Sequence, residues 1–183
     1  MKKILPASFF DRPTLMVARE LLGKYIVRKW RGKNIALMIT EVEAYDGLFD
    51  LASHASHGRT PRTSIMFGEA GRFYIFFTYG IHWMANIVTG PKDYPAAILL
   101  RAGLSENGEI AKGPARLTKF LHIDGTFNGI PASKKSGLWL EDRRVKIKKS
   151  NILAVKRIGV DYAGPIWSEK EYNFRIKNTL KTE

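Results

Sequence analysis

Two glutamates two residues apart, Glu41 and Glu43, stand in the run Thr40-Glu-Val-Glu-Ala-Tyr45. Residues 35–45 read as a strand with alternating faces. Met38, Thr40, Val42 and Ala44 fall on one side, and Ile39, Glu41, Glu43 and Tyr45 on the other. A carboxylate in a site can take a proton or offset a developing positive charge. Two carboxylates on one face also fit a solvated surface, because burying an unpaired charge is costly. Spacing does not choose between these readings, nor between the two glutamates. Arg101 ends the apolar run 96–100. A strand-end arginine is commonly exposed, but one turned inward needs a carboxylate, and Glu43 is a candidate partner.

Other polar residues stand where chemistry or recognition is possible. His54 and His57 lie three apart in Ser53-His-Ala-Ser-His-Gly-Arg59. That spacing admits a metal pair, but no third ligand is evident, so two polar loop histidines are the simpler reading. Arg59, Arg62 and Arg72 surround them, and beside Gly and Ser they are placed to meet phosphates or only to solubilise the loop. Tyr79 precedes Gly80 where Asn, Asp or Gly is usual. An aromatic at such a tip either folds back on the core or wedges between bases. Asn86 interrupts an apolar run, and a buried amide there must find partners or read a ligand.

The elements that must hold these residues follow from pattern. A helix is predicted over 14–22, with Asp11 as N-cap, Pro13 in the first turn and Gly23 at the C-cap. Residues 46–71, rich in Gly, Ser, Arg and Pro, read as a long functional loop with short helical turns. Residues 73–79 and 81–89 form a hairpin about Tyr79-Gly80. A strand over 96–101 follows, then a helix opened by Gly113-Pro114 and running to Leu121. Further strands are predicted over 138–141, 145–147, 154–158 and 173–176. The fold class is α+β: one domain over residues 1–183, with a mostly antiparallel curved sheet, peripheral helices and a projecting β-hairpin.

Thirty Lys and Arg against seventeen Asp and Glu give a net charge of +13, a field that attracts polyanions. Charge alone suits DNA, RNA or a merely soluble basic protein. No apolar run reaches the length of a membrane span, so no membrane partner is expected. With no cysteine and no signal-peptide pattern, a reducing cytoplasmic setting is expected.

Taken in order, Thr40-Glu-Val-Glu-Ala-Tyr45, Asp50-Leu-Ala-Ser-His54, Thr60-Pro-Arg62, Met66-Phe67, Phe73-Tyr-Ile-Phe-Phe-Thr-Tyr-Gly80, Met84-Ala-Asn-Ile87, Ile98-Leu-Leu-Arg101, Gly113-Pro-Ala-Arg-Leu117 and Arg157-Ile-Gly-Val160 resemble the alkyladenine (3-methyladenine) DNA glycosylase family. The blocks extend over almost the whole chain.

The resemblance implies a role for each matching position. Glu43, not Glu41, is the catalytic glutamate. Arg101 and the backbone carbonyl of Ile158 help hold the attacking water. Tyr45, His54 and Phe76 hold the extruded base, and Asn86 screens the purine 2-position. Tyr79 intercalates. Apart from the resemblance, Arg59, Arg62, Arg72 and Arg116 are candidates for contact with the DNA backbone on their charge. Phe76 departs from the tyrosine of well-known members: stacking survives, the hydroxyl does not.

The implied protein is a nucleoid-associated microbial monomer acting on double-stranded DNA with damaged purines. It uses no metal or other cofactor and cleaves no strand. Alkylated purines and hypoxanthine are the implied substrates. The alternative is a non-catalytic nucleic-acid binding module of the same fold, since fold alone does not give catalysis.

Overall fold

The structure is a computed structural model in which residues 2–177 are described. Strand β1 (Lys3–Ile4) leads to helices α1 (Ala7–Phe10) and α2 (Thr14–Leu21). Strands β2 (Tyr25–Trp30) and β3 (Lys33–Asp46) follow, then short 3-10 turns at His54–His57 and Ser64–Phe67. Strands β4 (Phe73–Thr78), β5 (His82–Val88), β6 (Ala96–Ser105) and β7 (Ile110–Lys112) precede helix α3 (Pro114–Phe120). The remainder holds β8 (Leu138–Asp142), β9 (Ile152–Val155), helix α4 (Gly164–Ser168) and β10 (Asn173–Ile176). This is the expected α+β architecture, with every strand pairing antiparallel.

The strand order is β1-β8-β2-β3-β6-β5-β4, an open curved sheet. β3 is its spine. One edge pairs with β6 along nearly its whole length, while the other is shared between β2 and β10. Against β6 the register slips twice between Ile39 and Val42 and then recovers. Thr40 and Arg101 fall between the paired residues at these irregularities, so Arg101 is released from the ladder beside the two glutamates. Val17, Ala18 and Leu21 of α2 pack with Leu117 of α3 and the sheet residues Ile26, Leu37, Ile39, Val42, Ile98, Leu100 and Phe174 in one apolar core. No helix among the described residues is long and apolar enough to cross a membrane.

Several elements differ from expectation for identifiable reasons. Asp11 does not cap α2. It closes α1, its N–H bonding to Ala7 O at 3.1 Å, and Pro13 takes the N-cap position with φ −51° and ψ 126°. No strand forms at 145–147: Ile147 lies over Gly23, spending its side chain on the end of α2 instead of a ladder. The strand expected over 154–158 is β9, ending at Val155, because Arg157 turns into the interior and the Ile158 N–H serves a side chain. The strand expected over 96–101 runs on to Ser105 and pairs with β7.

The hairpin forms where predicted. Its central residues Tyr79 and Gly80 lie at φ +53° and +68°, and Ile81 N–H donates to Thr78 O at 3.2 Å. A left-handed conformation suits Gly80 and is unfavourable for a tyrosine by about 1 kcal/mol or more. The Tyr79 side chain does not fold back; the residue is 88% exposed.

Candidate active site

Glu43 sits mid-strand on β3, opposite Leu99 of β6 and Asn173 of β10, and is fully buried. Its Oε1 accepts from Ile158 N–H at 2.8 Å and from Asn173 Nδ2 at 3.1 Å. Its Oε2 accepts from Tyr45 Oη–H at 3.0 Å and from the Arg101 guanidinium at 3.1 Å. Each oxygen thus holds two donors, filling the acceptor positions of a carboxylate.

Glu41 is also buried, which corrects the solvated-face reading. Its Oε1 accepts from Arg101 Nε and from Asn173 Nδ2, both at 2.8 Å. Arg101 therefore turns inward, toward both glutamates. Two carboxylates and one guanidinium leave a formal charge of −1 in this cluster. Such a fixed charge in a dry setting favours a positive charge arising beside it.

A second buried pair braces the site. Arg157 and Asp50 are both fully buried and meet in a two-pronged ion pair, at 2.5 Å and 2.8 Å. The Arg157 guanidinium also donates to Ala44 O at 2.9 Å and to Trp167 O at 3.1 Å. Its charge lies 4.9 Å from the centre of the Tyr45 ring. Burial pulls the Arg157 pKa down, but the hydrogen bonds and charge of Asp50 outweigh it and raise the value. The neighbouring residue is Ile158, so this brace sets the N–H that reaches Glu43.

Beside the carboxylates lies a small, partly open cavity of about 60 Å³. Tyr45, His54, Phe76 and Asn86 line it, as do Tyr74 and Tyr162. Glu43 does not line it, but Tyr45, which does, donates its hydroxyl to Glu43. The His54 and Phe76 rings meet edge-on at 4.8 Å, and Tyr74 lies 5.3 Å from Phe76. His54 Nδ1 is 3.0 Å from Tyr74 Oη. Burial, then the charges of Arg62 and His57, lower the His54 pKa to about 4, so the ring is neutral at pH 7. Asn86 is buried, with Nδ2 donating to Tyr74 O at 2.9 Å. Burial, then the Glu43 charge, pushes the Tyr45 phenol well above its usual range, so it remains a hydrogen-bond donor. A slot walled by aromatic rings, with one buried amide at its side, is shaped for a flat heterocycle.

Structure and sequence thus bring Glu43, Arg101, the Ile158 backbone, Tyr45, His54, Phe76 and Asn86 to one place. The Ile158 contact is an N–H, whereas the resemblance implied its carbonyl. The arginines are dispersed. Arg59 pairs with Asp93, Arg72 with Glu69, and Arg62 stacks over Phe76 at 4.8 Å. Arg116 is exposed on α3.

Sequence reading missed Glu41 and Asn173 as carboxylate partners, and Tyr74 and Tyr162 as pocket walls. It also missed the Asp50–Arg157 brace, although both residues stand in the quoted blocks. A contact spanning 107 positions leaves no local pattern. Tyr162, from a 3-10 turn at Asp161–Ala163, donates to Ala52 O at 2.9 Å and carries no flanking signal.

Residues 8–180 match the model of the methylpurine-DNA glycosylase (MPG) family. A protein of the archaeon Methanocella arvoryzae is 43% identical over 176 residues, covering 88% of this chain and 86% of that protein. One from an Anaeromyxobacter species is 40% identical over 94% of this chain and 89% of its own. One from Psychrobacter cryohalolentis is 38% identical over 90% and 88%. Each carries the words 3-methyladenine DNA glycosylase in its name. The chain belongs to the methylpurine-DNA glycosylase family.

Proposed function

We propose that this protein is a monofunctional DNA glycosylase that extrudes alkylated or deaminated purines from duplex DNA and hydrolyses their N-glycosidic bond. The observation that carries the reading is a buried carboxylate cluster of formal charge −1 joined to an aromatic-lined slot through the Tyr45–Glu43 hydrogen bond.

Inside a duplex the sugar of a damaged nucleotide is out of reach, so the nucleotide must be flipped out at a cost of a few kcal/mol. Tyr79, exposed at the hairpin tip, fills the gap that remains. The base enters between Tyr45, His54 and Phe76, where a cationic alkylated purine is attracted to the ring faces. Asn86 stands at the pocket wall and disfavours guanine, whose exocyclic amino group finds no partner there. Rupture of the C1′–N bond develops positive charge on the sugar, which the cluster around Glu43 offsets. Glu43 takes a proton from water as the water oxygen bonds to C1′. Arg101 orients the carboxylate. Among the described residues no lysine lines the pocket, and this reading includes no amine-linked, strand-cleaving step.

Glu43→Gln, assayed on duplexes carrying hypoxanthine or an alkylated adenine, is expected to lose about 10²-fold or more of the single-turnover rate. Glu41→Gln is expected to lose far less, because the amide keeps an oxygen facing Arg101 and Asn173. Excision by the Glu43 variant at near the normal rate, with folding intact by circular dichroism, refutes the assignment.

A further inference from the structure

Glu43 cannot act as a base in the arrangement that the structure shows. A carboxylate offers about four acceptor positions. All four are used: two on Oε1, by Ile158 N–H and Asn173 Nδ2, and two on Oε2, by Tyr45 and Arg101. No position remains for a water. One donor must leave before a proton can arrive.

The four donors differ in how firmly they are held. The Ile158 N–H is backbone, next to the Arg157–Asp50 brace. Asn173 Nδ2 and Arg101 are each tied to Glu41 as well as to Glu43. The Tyr45 hydroxyl makes one hydrogen bond among the described residues, the one to Glu43. Its ring lines the pocket, and Glu43 does not. The weakest-anchored donor is therefore the one that an entering base touches.

We propose that the Tyr45 hydroxyl occupies the place of the attacking water in the unliganded protein, and yields it when an extruded base packs against the ring. The inference rests on the assignment of Glu43 as the base. With the hydroxyl withdrawn, a water donates to Oε2 in its stead. Its O–H proton passes to Glu43, its oxygen bonds to C1′, and the C1′–N electron pair leaves with the base. A nucleotide that enters without filling the slot meets a capped carboxylate. Recognition and chemistry are thereby joined through one phenol.

Tyr45→Phe keeps the ring and removes the hydroxyl. The charged groups around Glu43 are then Glu41 on β3, Arg101 on β6 and the Arg157–Asp50 pair. Excision of hypoxanthine is measured from about pH 5 to about pH 9 as kcat/KM, which reports the free protein in which the hydroxyl still caps Glu43, beside excision of undamaged adenine from a mispair. Two changes are expected. The acid limb moves up by about half a pH unit or more, because a donor to the charged form is lost. Excision of adenine rises about tenfold relative to hypoxanthine, a change of about 1.4 kcal/mol in relative barrier. A limb or a selectivity that stays at the wild-type value overturns the proposal.

A second measurement does not depend on that variant's activity. The ¹³Cζ resonance of Tyr45, in protein labelled at tyrosine, is expected to shift when a duplex with a hydrolysis-resistant 2′-fluoro nucleotide binds. An unshifted resonance in the bound state overturns the proposal equally. Excision by Glu43→Gln defeats the base assignment itself. An inactive Glu43→Gln beside a Tyr45→Phe enzyme of wild-type pH profile and selectivity defeats the gate alone.

Discussion

Replacing Asp50 by Asn removes one charge from a fully buried pair and leaves the other in place. Four donors converge on the Asp50 carboxylate: two from Arg157 and the backbone N–H groups of Asp46 and Ala52. In asparagine one oxygen becomes an NH₂, so a prong of Arg157 and one backbone N–H each face another donor. The Arg157 charge is then buried without a counter-ion. Breaking such a pair from one side costs about 3–5 kcal/mol, a large part of the total stability of a domain. For a chain of this size each kcal/mol lowers Tm by about 2–4 °C, so a fall of roughly 6–20 °C is expected. Thermal and urea unfolding of wild type and Asp50→Asn measure it directly. Glycosylase activity is expected to fall as well at temperatures where the variant is folded, because Ile158 adjoins Arg157 and holds Glu43. A double change to Asp50→Leu and Arg157→Met, which removes both charges, is expected to recover much of the lost stability but not the activity. A loss under about 1 kcal/mol in the single variant refutes the reasoning, since it shows that solvent or other groups satisfy Arg157.

Two further outcomes follow from the same geometry. Tyr79→Ala is expected to weaken binding to lesion-containing duplex about tenfold or more while excision of pre-bound substrate persists, and equal binding by gel shift counts against a wedge. His54, with a pKa lowered to about 4 by burial and by Arg62 and His57, stays neutral where the unfolded chain begins to protonate. Its contribution to stability is therefore full above about pH 6.5 and is lost as pH falls toward 4, by about 1–2 kcal/mol after allowing for a half-buried site. His54→Gln is expected to flatten that part of the stability curve, and an unchanged slope in thermal melts between pH 7 and pH 4 speaks against it.

Local pattern carried the hairpin, since Tyr79-Gly80 separates two β-rich runs and turn chemistry acts within four residues. It also carried the strand that holds Glu43, though not the state of its carboxylates. Alternation makes Glu41 and Glu43 equivalent, and a solvated face is the cheaper assumption for both. What separates them arrives from far along the chain: Arg101 reaches Glu43 across 58 positions and Ile158 across 115. The same holds for the Asp50–Arg157 brace. Where local reading failed outright, tertiary demands prevailed. Residues 145–147 have a strand-like composition, yet Ile147 covers the end of α2. The reach of β9 is cut short because Arg157 and Ile158 are claimed by the site.

The left-handed tyrosine at the hairpin tip bears on how this protein can be improved or degraded by selection. Position 79 would hold its backbone with less strain as glycine or asparagine. On the proposed wedge role, heat resistance and DNA engagement pull that position in opposite directions. A screen that rewards thermal tolerance alone is expected to enrich such replacements, and each survivor would have a quieter turn and no aromatic ring with which to enter the duplex.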